Sequence, residues 1–72
     1  MPLKCMNVGD KARVTAITGS DAVRKHLGSL GLTPGALVLV VQIADGNMII
    51  GVHNSRIAIN GDVAARVIVR PE

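Results

Sequence analysis

The chain has 72 residues and not one Phe, Tyr or Trp. That absence constrains the fold more than any motif. An aromatic side chain buries about 150–250 Å² on its own. Without them the core must be assembled from Val, Ile, Leu, Met and Ala. Hydrophobic residues make up 49% of the chain, with 10 Val and 7 Ile among them. These β-branched side chains are stiff at χ1 and pack well on a pleated surface. A chain of this length buries only roughly 60% of its unfolded surface, so nearly every apolar residue is needed inside. The composition leads to a small, mainly all-β domain, read as one domain over residues 1–72.

The same absence excludes several functions. There is no stacking platform for single-stranded nucleic acid, no aromatic groove for a polyproline ligand and no aromatic cage for a cation. The net charge of +3 favours an acidic partner surface but is small for a nucleic-acid binder. Cys5 is the single cysteine and cannot form an internal disulfide, which points to a reducing compartment. Met1 to Cys5 lacks the apolar stretch of a signal peptide, and the longest apolar run is only Ala36 to Val41. A membrane-spanning helix needs about 20 apolar residues. A cytoplasmic protein is therefore expected. With most residues committed to the core, no enzymatic activity is expected.

Turn residues punctuate the chain at Asn7–Asp10, Gly19–Asp21, Thr33–Gly35, Asp45–Asn47, Asn54–Ser55 and Asn60–Asp62. Asp45-Gly46 is a favoured two-residue hairpin loop. It would pair Ala44 with Asn47, Ile43 with Met48, Val41 with Ile50 and Leu39 with Val52. Leu37, Leu39, Val41, Ile43, Met48, Ile50 and Val52 would then share the core face. A second loop at Asn54-Ser55 pairs Val52 with Ile57 and Ile50 with Ile59, adding both isoleucines to that face. The opposite face would carry Val38, Val40, Gln42, Ile49, Gly51, His53, Arg56 and Ala58. Lys11 to Thr18 reads as a flanking strand with Ala12, Val14 and Ala16 inward. Ala65 to Arg70 reads as another, with Ala65, Val67 and Val69 on one side.

One segment breaks the strand rhythm. Val23, Leu27 and Leu30 follow i, i+4, i+7 spacing, which predicts a helix over Asp21 to Leu30. Ser20 is its expected N-cap and Gly31 its left-handed terminator, with Pro34 preventing resumption. A further short turn is expected at Gly61 to Ala64. Five strands and one inserted helix close most easily as a small, partly open barrel.

Arg24 to Gly35 reads R-x-x-L-x-x-L-G-L-x-P-G, followed at once by an apolar strand. Ile57-Ala58-Ile59 and then Ala64, Val67 and Val69 read I-A-I…A-x-x-V-x-V. With Leu3, Met6 and Gly9 ahead of Ala12-Arg13-Val14, the chain resembles the ferrous iron transport protein A family (FeoA) over nearly its whole length. The resemblance implies a five-stranded SH3-like barrel with a short helix after the first long strand. It also implies a small non-catalytic accessory of bacterial Fe(II) uptake, acting on the cytoplasmic, GTP-binding part of the FeoB membrane transporter and recruited to the inner face of the membrane.

The candidate docking residues lie at the helix and its exit: Arg24, Lys25, Leu27, Leu30, Gly31 and Leu32. The Leu30-Gly31-Leu32 corner is expected to form a small apolar notch edged by the two cations, the usual make-up of a binding patch. No metal or cofactor is expected from the sequence, because Cys5, His26, His53 and the aspartates show no ligand spacing for Fe(II) or any other metal; an Fe(II) site assembled across the fold or between two protomers stays open. Cys5 is expected as a small, at least half-buried hydrophobe. No Ser, Cys and His are placed for nucleophilic catalysis, and no glycine motif cradles phosphate. Two alternatives remain open at this point. Gly9 to Gly19 resembles the ribosomal KOW pattern of small nucleic-acid-binding barrels, and related domains end some metal-dependent repressors. The apolar second face and the open strand edges favour weak self-association.

Overall fold

Turns in this protein are fixed by residues that accept left-handed backbone. Asp45 (φ 52°) and Gly46 (φ 79°) form one two-residue hairpin loop, and His53 (φ 50°) and Asn54 (φ 64°) form the next. The computed structural model describes residues 1–72. A 3₁₀ turn (Leu3–Cys5) leads into β1 (Lys11–Ile17), α1 (Asp21–Ser29), β2 (Leu37–Ala44), β3 (Asn47–Val52), β4 (Ser55–Ile59), α2 (Gly61–Arg66) and β5 (Val67–Pro71). The strands form one antiparallel sheet in the order β4-β3-β2-β1-β5. It curls around a core of 16 buried residues, all apolar, with no buried polar side chain.

The helix boundaries follow the expected chemistry. The Ser20 hydroxyl accepts a hydrogen bond from the Val23 amide at 3.3 Å. At the other end Leu32 N–H donates to Leu27 O and Gly31 N–H to Gly28 O, both at 3.0 Å, which is a Schellman closure around Gly31 at φ 94°. The turn expected at Gly61–Ala64 is a helix running on to Arg66, capped by Asn60, whose Oδ1 accepts from Val63 N at 2.9 Å. Ala65 therefore belongs to α2, and β5 starts two residues later than its alternation implies.

Three further expectations need correction. The second hairpin turns at His53–Asn54, so Ser55 pairs with Val52 and Ile57 with Ile50. This moves each partner by two positions, so Ile57 and Ile59 keep the core face. In β1 the register shifts between Val14 and Ala16, making Thr15 a bulge; Ala12 and Val14 stay buried, but Ala16 is exposed and Ile17 turns inward instead.

The third correction reverses β2. The pairing begins as expected, Ala44 with Asn47 and Ile43 with Met48, then shifts between Val40 and Gln42. Val41 is the extra residue. Beyond it Val40 faces Ile50 and Leu39 faces Gly51. Val38 and Val40 are thus fully buried, whereas Leu37 and Leu39 are 44% and 38% exposed; Ile43, on the turn side of the bulge, keeps its expected partner Met48 yet is 43% exposed. A one-residue slip flips every side chain beyond it.

This assignment fixes an order of stabilities. Val40→Ala is expected to cost about 2 kcal/mol or more, and Leu39→Ala to cost less, although it removes more atoms. Urea unfolding followed by far-UV circular dichroism measures both. The reverse order would place Leu39 in the core.

Candidate functional site

The bulge at Val41 builds the most distinctive feature of the surface. On the outer face of the sheet, four residues stand directly opposite one another on four successive strands. Lys11 pairs with Leu39, Leu39 with Gly51, and Gly51 with Arg56. The row reads cation, leucine, gap, cation. Gly51 makes the gap, since it has no side chain to fill the space beside Leu39. A Cβ built there would meet only Val41 Cγ2 at 3.9 Å and Leu39 at 4.0 Å, which is ordinary contact. With Leu37 and Val41 the row encloses an open groove of about 330 Å³. Strands lie about 4.8 Å apart, so the two cationic backbones flank the groove at roughly 14 Å.

No carboxylate lines the groove. Neighbouring Arg13 is already committed: its side chain bonds Glu72 Oε1 at 2.9 Å and the Gly35 carbonyl at 2.8 Å. Lys11 and Arg56 form no ion pair within the chain. The groove therefore presents apolar surface between two cations with no internal counter-charge.

The residues proposed from the sequence divide into two groups. Leu27 and Leu32 are 1% and 0% exposed. They are core, held there by the Schellman closure, and offer a partner nothing; the expected notch does not form from them. Leu30 and Gly31 are half-buried, and Arg24 and Lys25 are exposed. Arg24 pairs with Asp21 one turn earlier on α1, whereas Lys25 has no such partner. The helix exit does reach the groove. A Cβ on Gly31 would fall 2.7 Å from Cδ2 of His53, and His53 lines the groove wall.

Leu37, Leu39 and Val41, expected on the core face from alternation, are surface residues of the groove. Gly51 was the available signal: a glycine inside a strand marks a bulge or a close approach by another chain. Cys5 is exposed rather than buried, because Leu3 takes the inward position of that 3₁₀ turn. His26, His53 and Cys5 sit on different elements, and no three His, Cys, Asp or Glu residues come together. No helix is long and apolar enough to cross a membrane.

The sequence profile of the FeoA domain matches residues 1–71. The chain belongs to the FeoA family. These are ferrous iron transport accessory proteins, not a known family of enzymes. A crystal structure of an iron uptake regulatory protein (FeoA) superposes with TM-score 0.94 at 41% identity, covering 100% of this chain and 97% of that one. FeoA from Chlorobium tepidum gives TM-score 0.90 at 27% identity over 99% of this chain and 70% of that one. FeoA from Stenotrophomonas maltophilia, solved with zinc and described as a prokaryotic SH3 domain protein, gives 0.84 at 25% identity over 97% and 89%. The SH3-like barrel is thereby confirmed. A manganese-dependent transcriptional repressor shares the fold alone, at 15% identity and 41% of its length. Comparison with curated proteins gives no match.

The junction between helix exit and groove has its own test. Gly31→Ala is expected to cost about 1–2 kcal/mol from the left-handed backbone. The exposed His53 ring can swing aside, so Gly31→Ala/His53→Ala should recover little of that loss in urea unfolding. Full recovery would mean that the ring, not the backbone, sets the cost.

Proposed function

We propose that this FeoA protein is a non-catalytic module that docks on the cytoplasmic, GTP-binding part of a FeoB-type ferrous iron transporter and changes its assembly or GTP turnover. One observation carries this reading: the Lys11–Leu39–Gly51–Arg56 row, an apolar groove between two unpaired cations. Stable recognition combines an apolar anchor that is desolvated on binding with a charged rim that orients it. The occupant this favours is an apolar side chain seated over Gly51 with acidic groups on either side. Family membership supplies the process, ferrous iron transport. The S. maltophilia relative is described as "possibly acting as a bacterial ferrous iron transport activating factor", which accords with a regulatory role.

In this reading Fe(II) is the transporter's cargo, and the chain holds no resident metal. The FeoA protein works at the cytoplasmic face of the membrane. Gly31 abuts the groove through His53, half-buried Leu30 precedes it at the helix exit, and Arg24 and Lys25 supply further exposed cations on α1. These four are kept as the flank of the docking surface.

Gly51→Val is the sharpest test. It fills the groove, adds a β-branched residue to a strand and leaves the core untouched, so stability should hold or rise by about 0.5–1 kcal/mol. Binding to the purified cytoplasmic part of the cognate transporter, measured by calorimetry, is expected to weaken at least about tenfold, as for loss of a buried anchor. Leu39→Glu should do the same. Unchanged affinity in both folded variants would remove the groove from the docking surface.

A further inference from the structure

The two edges of the sheet are treated differently. On β5 the chain's own N-terminal segment covers the edge. The Met1 amino group donates to Val69 O at 2.9 Å, Val69 N–H donates to Met1 O at 2.7 Å, and Pro2 bridges to Ile68. On β4 nothing does. Beyond its ladder with β3, no residue from Ser55 to Ile59 makes a backbone or side-chain hydrogen bond.

Register identifies which groups are free. Val52 and Ser55 flank a two-residue loop and so form a hydrogen-bonded pair. Such pairs alternate along an antiparallel ladder, which makes Ile50–Ile57 and Met48–Ile59 hydrogen-bonded as well. The N–H and C=O groups of Arg56 and Ala58 therefore point away from the sheet. Both residues are exposed. Arg56 is also the cation at the outer end of the groove row.

We propose that β4 is a strand-addition site, which receives an extended partner segment alternating apolar and acidic residues. An added strand would bond the free groups of Arg56 and Ala58. Its residue opposite Arg56 would extend the row Lys11–Leu39–Gly51–Arg56 by one strand, and a carboxylate fits there. Its intervening side chains fall on the core side, beside half-buried Ile57, where apolar groups are favoured. A second copy of this chain is the poorer occupant. Its β4 (Ser55–Ile59) brings another arginine and no carboxylate, on a molecule of net charge +3.

The inference rests on the docking reading and names the partner segment for it. The probe is a capped Gly-Val-Glu-Val-Glu-Val-Gly peptide titrated into ¹⁵N-labelled protein. The Arg56 and Ala58 amides are expected to shift downfield and exchange more slowly, with Ser55, Ile57 and Ile59 little changed. Replacing Glu by Lys in the peptide should weaken binding by about fivefold or more, and Arg56→Glu should invert that preference. Ala58→Pro removes an outward N–H without touching the ladder and should abolish both. Protection of Arg56 and Ala58 that rises with protein concentration alone would overturn the proposal in favour of a second copy. Binding that leaves both amides unmoved would overturn it outright. With the transporter's cytoplasmic part, Gly51→Val and Ala58→Pro should both weaken binding. Loss in Gly51→Val alone would keep the docking reading and sink strand addition; loss in neither would sink the docking reading itself.

Discussion

One extra residue, Val41, sits between two stretches of regular pairing in the β2–β3 hairpin. Because side chains alternate along a strand, that insertion decides which half of β2 is buried. It turns Val38 and Val40 into the core, Val40 opposite Ile50, and leaves Leu37 and Leu39 outside. Core and groove are thus two results of one backbone event. Without the slip the larger leucines would fill the interior and the outer face would be a smoother surface of valines. With it, β2 contributes compact valines to an interior that is otherwise shared among Leu, Met, Ile, Val and Ala, with no aromatic side chain to pack.

The rest of the molecule holds that arrangement in place. Val40 is tied to the loop before β1, donating to Asp10 O at 3.0 Å while its carbonyl accepts from Gly9 N–H at 2.8 Å. This fixes β2 against β1 just where it leaves the bulge. Lys11 is thereby set opposite Leu39. On the other side the His53–Asn54 turn sets Arg56 opposite Gly51. The cationic rim is a consequence of turn chemistry and register, not of any local motif.

Much of this was legible in the residues, and the failures have a common cause. Ser20, Leu27, Gly31 and Pro34 each act through local backbone chemistry, and the helix they delimit is found where they place it. Asp45-Gly46 turns as its dipeptide requires. In β3 and β4, Ile50, Ile57 and Ile59 keep their face even though the second turn slides by one residue, because the slide changes pairing by an even step. β2 defeated the same reasoning because Leu37 to Val41 is apolar at both parities. Alternation carries no information in such a run, and only Gly51 on the neighbouring strand hinted at the bulge. The docking residues placed at the helix exit shared this weakness. Leucine spacing located the helix correctly but could not show that Leu27 and Leu32 would be closed off by the barrel.

In the docking reading proposed above, the apolar groove between two unpaired cations, beside an uncovered strand edge, is the face of the barrel that a transporter partner would meet. Leucine and valine methyl groups report on it directly, since Leu37, Leu39 and Val41 line the groove while Leu27 and Val40 are buried in the core. Methyl-labelled protein titrated with the transporter's cytoplasmic part would locate the contact in one spectrum. The expected result is that the Leu37, Leu39 and Val41 methyl signals move or broaden first. Changes confined to the exposed face of α1 around Arg24 and Lys25, with the groove methyls unmoved, would contradict it.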